Sequence, residues 1–153
     1  MNIEKKLRSL GIVLSEPPKP LGSYRPSVIS GNLLFISGQL PVKEGKLLFE
    51  GKVGSVVSLD QAAEASRQCA INSLSIIKSE IGDLNRVKRI VKVTGYVASS
   101  EGFYDQASVI NGASDLYYEV FGEKGVHSRA VAGVSELPMN SPVEVETIAE
   151  LND

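Results

Sequence analysis

Val87-Lys88-Arg89-Ile90-Val91-Lys92-Val93-Thr94-Gly95-Tyr96-Val97 is the stretch on which the fold turns. Val87, Val91, Val93 and Val97 recur with a period of two, Lys88, Lys92 and Thr94 fall on the other side, and β-branched residues dominate. That alternation predicts a strand with one buried face. Helical patterns flank it on both sides. Upstream, Ser58-Leu59-Asp60-Gln61 has the Ser-x-x-Gln form of a capping box, in which hydroxyl and amide satisfy reciprocal free backbone N–H groups. From there Leu59, Ala63, Ala70, Leu74, Ile77 and Ile81 step by three, four or seven residues to a stop at Gly82, which predicts a long helix with one apolar stripe. Downstream, Phe103, Ala107, Ile110, Tyr117 and Phe121 predict a second long helix over 103–121, ended by Gly122 and weakened in its middle by Gly112.

Further out, the apolar run 33–36 between Gly31-Asn32 and Ser37-Gly38 reads as a short strand buried on both faces, and 46–49 as another after the turn at Glu44-Gly45. Segments 129–135 and 143–151 alternate and are joined by a connection rich in proline and asparagine, so a hairpin is expected. The order strand, strand, helix, strand, helix, strand, strand argues for an α+β fold of two layers, two long helices on one face of a mixed sheet. Ile3, Leu7 and Leu10 place a short helix over 3–10, and Ser15-Glu16-Pro17-Pro18-Lys19-Pro20 cannot continue it. Residues 1–19 are thus expected to form an N-terminal helix and proline-rich arm before a main domain at 20–153. Two helices cover one sheet face only, yet 33–36 and 130–132 are apolar throughout. A second copy of the chain is the simplest cover for the other face; the N-terminal helix and arm are the alternative.

At 153 residues the chain suits one domain, and 42% hydrophobic with 22% charged residues is a globular composition. A formal charge of −2 supplies no general basic field, so neither nucleic acid nor anionic lipid is an expected partner. The single cysteine, Cys69, cannot close an internal disulfide, and with the single His127 it cannot build a zinc site of the Cys/His type. No apolar run approaches the roughly 20 residues of a membrane span, and a reducing, cytoplasmic location is expected. Any Ser-His-Asp arrangement would pass through His127, which lies in a short polar connector; Cys69 and His127 are both expected to be dispensable for chemistry.

Arg129 opens the otherwise apolar segment Ala130-Val131-Ala132-Gly133-Val134. Its planar fork fits a carboxylate in two parallel hydrogen bonds, and either an internal acid or a ligand could supply it. Glu144 and Glu146 share one face of the segment expected to adjoin it, which would make a structural Arg-Glu pair the plain reading. Tyr24 sits in the turn-forming loop Leu21-Gly22-Ser23-Tyr24-Arg25-Pro26, where packing on the sheet edge and ligand contact are both open. Cys69, within the long helix, reads as a small buried hydrophobe.

Ser37-Gly38-Gln39-Leu40-Pro41 after an apolar strand, Tyr24 upstream, Asn72-x-Leu74 in the first long helix, and Arg129 followed by Glu136-Leu137-Pro138 and Val143-Glu144-Val145-Glu146 together resemble the RidA/YjgF/YER057c/UK114 family. The resemblance spans about residues 20–151, and the block from Arg129 to Glu146 is its most specific part. It implies a chorismate-mutase-like fold, a homotrimer whose sheets form a central barrel, and ligand clefts between subunits. It also implies hydrolysis of reactive 2-imino or 2-enamino acids to 2-keto acids and ammonia without metal or organic cofactor. Arg129 would then clamp the substrate carboxylate, Glu144 would hold or activate water, and Tyr24 would close over the ligand. Val131 stands where many members have Cys, and Gly133 where many have an acid, so Val131 would form part of an altered cleft wall. Asn111, Tyr118 and Phe121 are spaced more widely than the family pattern. The chain therefore resembles a diverged subgroup, either a deaminase or a trimeric protein that binds small carboxylates without turnover.

Overall fold

A computed structural model describes residues 2–17, 19–20 and 22–153. The chain runs α1 (Ile3–Ser9), β1 (Ser27–Ser30), β2 (Leu33–Gln39), β3 (Val42–Lys43), β4 (Lys46–Leu47), α2 (Leu59–Ile81), β5 (Val87–Ala98), α3 (Gln106–Phe121), β6 (Ser128–Val134) and β7 (Val143–Leu151). Five strands form one mixed sheet in the order β1-β2-β7-β5-β6, in which β5 and β6 are parallel and the remaining pairs antiparallel. The long helices α2 and α3 cover one face, as the α+β reading expects.

Strand β5 carries the period of two with interruptions. Its pairing with β7 shifts between Val87 and Arg89 and again between Ile90 and Lys92. Irregularities of this kind turn side chains to the other face, so Ile90 enters the core and Val91 is only half-buried, against the expectation that Val91 faces inward. The expected hairpin of β6 with β7 is also corrected. Strand β5 lies between them, because α3 joins β5 to β6 as a crossover and a strand entering after a crossover helix lies parallel to the first. Residues 135–142 then pass the end of β5, held there by Ser99 N–H on the Val134 carbonyl (3.2 Å) and Ala98 N–H on that of Pro142 (2.9 Å). The expected strand at 46–49 is shorter and stands outside the sheet: β3 and β4 form a small separate hairpin. Asn72 ties this region to α2, donating to the carbonyls of Leu40 (3.0 Å) and Val42 (2.9 Å). Strand β1 had no counterpart in the sequence reading; it folds back on β2 through Gly31-Asn32, with Gly31 at positive φ.

Helix α2 begins with the capping box, both reciprocal bonds between Ser58 and Gln61 present, and ends at Gly82 at positive φ. Helix α3 starts at Gln106, later than expected, leaving Phe103 in the preceding loop packed on the core. Gly112 is a packing requirement. A Cβ at this position would overlap the Ala63 carbonyl of α2, so the two helix backbones touch where the sequence shows only a weak helix former. One residue on, the Ala113 N–H donates to Ser66 Oγ at 2.9 Å.

The two sheet faces differ sharply. Leu34, Ile36, Val93, Val97, Val143, Val145, Thr147 and Ala149 are buried against the helices. On the other face Phe35 is 42% and Val28 52% exposed, and their strand neighbours there include Ile148 opposite Phe35. The reading of 33–36 as buried on both faces therefore holds for one face within a single chain. Helix α1 does not cover the other. It joins the helix layer, with Ile3 N–H on Asn85 Oδ1 (3.1 Å), Glu4 paired with Lys78 (2.9 Å), and Leu7 buried. Leu10, Ile12 and Leu14 continue onto the same core as residues 20–153.

Candidate ligand site at the sheet edge

Strand β6 is an edge strand, and its register with β5 fixes where its side chains go. Arg129, Val131 and Gly133 lie opposite Val93, Gly95 and Val97, which face the helices. Arg129 therefore projects toward α3. Its Nη1 donates to Asn111 Oδ1 at 2.8 Å and to Ser114 Oγ at 3.2 Å. Asn111 and Ser114 are three apart on a helix and so share a face. Among the described residues Arg129 forms no ion pair, and the structural Arg-Glu pair read from the sequence is absent. The reason is the corrected topology, since β5 separates β6 from the strand that carries Glu144 and Glu146. Of the five guanidinium N–H groups, the two on Nη1 are engaged, while those on Nη2 and Nε have no protein acceptor among the described residues.

His127 stands beside this group. Its Nδ1 lies 2.6 Å from the Gly125 carbonyl, its Nε2 2.9 Å from Ser114 Oγ, and the Tyr117 ring meets it edge-on at 5.9 Å. Burial, with a smaller contribution from the Arg129 charge, holds the imidazole below its ordinary pKa against the opposite pull of the Gly125 carbonyl. A cavity of about 290 Å³ opens here, lined by Ser114, Tyr118, Gly125, Val126, His127 and Arg129. The sequence reading placed His127 in no catalytic constellation and gave no role to Ser114; the structure joins the two by a hydrogen bond beside Arg129. The available signals were the Asn111-x-x-Ser114 spacing on a helix and the His127-x-Arg129 spacing where β6 begins.

The other expected site residues lie elsewhere. Val131 follows Arg129 on the same face and packs on the core. Glu144, on β7, is opposite Tyr96 and projects from the face the helices leave open. It is half-buried without a hydrogen bond among the described residues, and burial first, then the Glu146 charge, pushes its carboxyl above the usual range. Glu146 accepts from the Tyr96 hydroxyl at 2.8 Å. A Cβ at residue 38 would collide with the Glu144 carboxyl, so the close approach requires Gly38. Tyr24 precedes β1, at the sheet edge opposite β6, and is 59% exposed. One chain therefore brings Arg129 and Val131 together, and holds Glu144 and Tyr24 apart from them. Cys69 is fully buried, and burial, then the Glu144 charge, raises its thiol pKa, as an inert core position would have it. Among the described residues no group of three or more His, Cys, Asp or Glu could hold a metal ion, and no helix is long and apolar enough to cross a membrane.

A two-layer α+β domain with an arginine seat on an edge strand falls in the class described as "YjgF/chorismate mutase-like, putative endoribonuclease", whose family model matches residues 4–151. The chain belongs to the RidA/YjgF family. It is 40% identical over 152 residues to protein TCP17 of Trypanosoma cruzi, covering 99% of this chain and 95% of that protein. Among solved structures it is similar to a protein of unknown function from Agrobacterium tumefaciens (43% identity, TM-score 0.92, 98% and 92% of the two chains). A "putative endoribonuclease" from Shewanella oneidensis superposes with TM-score 0.95 at 34% identity, over 99% and 100% of the two chains.

Proposed function

We propose that the protein hydrolyses reactive 2-imino and 2-enamino acids to 2-keto acids and ammonia, in clefts between the subunits of a homotrimer. The observation that carries the reading is Arg129. Its guanidinium is anchored through Nη1 and leaves Nη2 and Nε for a carboxylate that no side chain among the described residues supplies. A small 2-imino or 2-keto acid carries that carboxylate next to the reacting carbon.

The placement of Glu144 supports the trimer. Arg129 and Glu144 leave opposite faces of one sheet, so a Glu144 acting on a ligand at Arg129 has to come from another copy. The open face, with Val28 and Phe35 exposed, is apolar enough to be buried in such an assembly. In the reaction an enamine first takes a proton at C3 and releases one from nitrogen to become the imine. Water then adds to C2 as the C=N electrons move to nitrogen and a proton follows. The carbinolamine collapses as its hydroxyl gives up a proton and its nitrogen takes one, the C–N bond breaks, ammonia leaves and the C=O forms. The imine carbon is already electrophilic, so orientation by Arg129 and proton transfer through Glu144 would suffice, and a carboxyl raised above its usual pKa suits that exchange. No cofactor takes part in this scheme.

The separation of Glu144 from Arg129 within one chain favours a second reading, a trimeric protein that holds small carboxylates without turnover. Imino acids generated in situ and assayed at once for 2-keto acid and ammonia separate the two. Acceleration over the uncatalysed rate supports the deaminase; binding of pyruvate without acceleration leaves the second reading.

A further inference from the structure

The hydrogen bonds behind Arg129 run in one direction, and their ends fix it. A carbonyl only accepts, so the Gly125 oxygen requires the ring proton of His127 on Nδ1. In the neutral imidazole Nε2 is then an acceptor, and Ser114 donates its hydroxyl hydrogen to it. With that hydrogen committed, Ser114 presents only lone pairs to Arg129. It accepts one Nη1 hydrogen at 3.2 Å while Asn111 Oδ1 accepts the other at 2.8 Å. With Nη1 occupied, the remaining two-point edge of the guanidinium is Nε with Nη2.

We propose that Ser114 and His127 are positioning residues of the carboxylate seat, holding Arg129 so that its Nε–Nη2 edge is the one offered to the ligand. The inference rests on Arg129 being a carboxylate clamp and adds what aims it. The low basicity of His127 is consistent with the neutral ring the chain of bonds requires, and the groups that meet the ring, Ser114, Tyr117, Gly125 and Arg129, include no carboxylate. Ser114 lies within α3, away from its ends, where it accepts from Arg129 and is turned toward the cavity that Arg129 lines. That arrangement ties Arg129 to α3 and to His127.

The test uses pyruvate as probe and the full-length wild-type protein as reference. Ser114→Ala should weaken pyruvate binding about tenfold, the size of one ordinary hydrogen bond. Ser114→Thr, which keeps the hydroxyl, should restore it to within about threefold. His127→Ala should act in the same direction, and the Ser114→Ala/His127→Ala double variant should be no worse than the weaker single variant, because both break one chain. The lone imidazole also reports directly: its nitrogen resonances should show the Nδ1–H tautomer in the wild type and a tautomer mixture in Ser114→Ala. Wild-type affinity in both alanine variants, with Arg129→Lys impaired, would overturn the positioning role and leave the clamp intact. Unchanged affinity in Arg129→Ala, or no pyruvate binding by the wild type, would overturn the clamp and the inference together.

Discussion

Replacing Gly112 with alanine should damage both the fold and the ligand seat, and the geometry states by how much. Alanine is the better helix former by about 1 kcal/mol, so an isolated helix would gain from the change. In this structure the new methyl group would overlap the carbonyl of Ala63, a main-chain atom with no rotamer to change. Relief requires α2 and α3 to move apart, and overpacking of this kind costs about 1–3 kcal/mol, occasionally more. Contact with backbone on both sides places the cost at the upper end, so a net loss of about 2 kcal/mol is expected. With a urea slope of about 2 kcal/mol/M, the unfolding midpoint falls by about 1 M at unchanged slope. The movement reaches the seat as well, because Asn111 and Ser114, the acceptors of Arg129, flank residue 112 on α3. Pyruvate affinity should fall in the folded variant. A midpoint equal to or above that of the wild type would refute the close-approach argument, and lost stability with intact affinity would refute the mechanical link to Arg129.

Glu144→Gln should lower turnover of imino acids by about 10²–10⁴ while changing pyruvate affinity little, read as a kcat loss without a matching rise in dissociation constant. The folded-state pKa of Glu144 is raised, so the native protein binds this proton more tightly than the unfolded chain, and the residue opposes folding increasingly as pH rises through its folded value. Glu144→Gln should therefore be at least as stable as wild type at pH 7, measured by thermal unfolding across pH; a large loss there would mark a structural role. Phe35→Asp, on the open sheet face, should convert a species of three times the chain mass in sedimentation into a smaller one, whereas a wild-type monomer at micromolar concentration would remove the intersubunit cleft. The Cys69 thiol should resist a small thiol reagent until the protein unfolds, since it is fully buried and its pKa is raised; rapid labelling of native protein would contradict the packing of α2.

The class of fold was legible because β5, α2 and α3 each carry a local signal long enough to survive tertiary detail. The capping box at Ser58 and the stop at Gly82 fall where they were expected. What failed depends on neighbours that are distant in sequence. Periodicity in β5 could not show the shifts that exchange Val91 for Ile90 in the core. Proximity in sequence suggested a hairpin for β6 and β7, but the crossover through α3 puts β5 between them. Arg129 was legible as a cation in need of a partner on an apolar strand. Its actual partners, Asn111 and Ser114, were not, because they belong to a helix whose packing, close against α2 at Gly112, depends on contacts distant in sequence.

The crossover that upset the hairpin has a further consequence. Arg129, its acceptors on α3, and His127 with its Gly125 anchor all fall within residues 106–134, so the anchoring end of the proposed site is contained in one continuous helix-and-strand segment. Glu144 and Tyr24 lie outside it, one on a later strand and the other near the opposite sheet edge. In the proposed reaction, anchoring and reactivity would then be separable modules: substitutions around Tyr24 and Gly38 should retune turnover or side-chain preference without touching the segment proposed to hold the carboxylate.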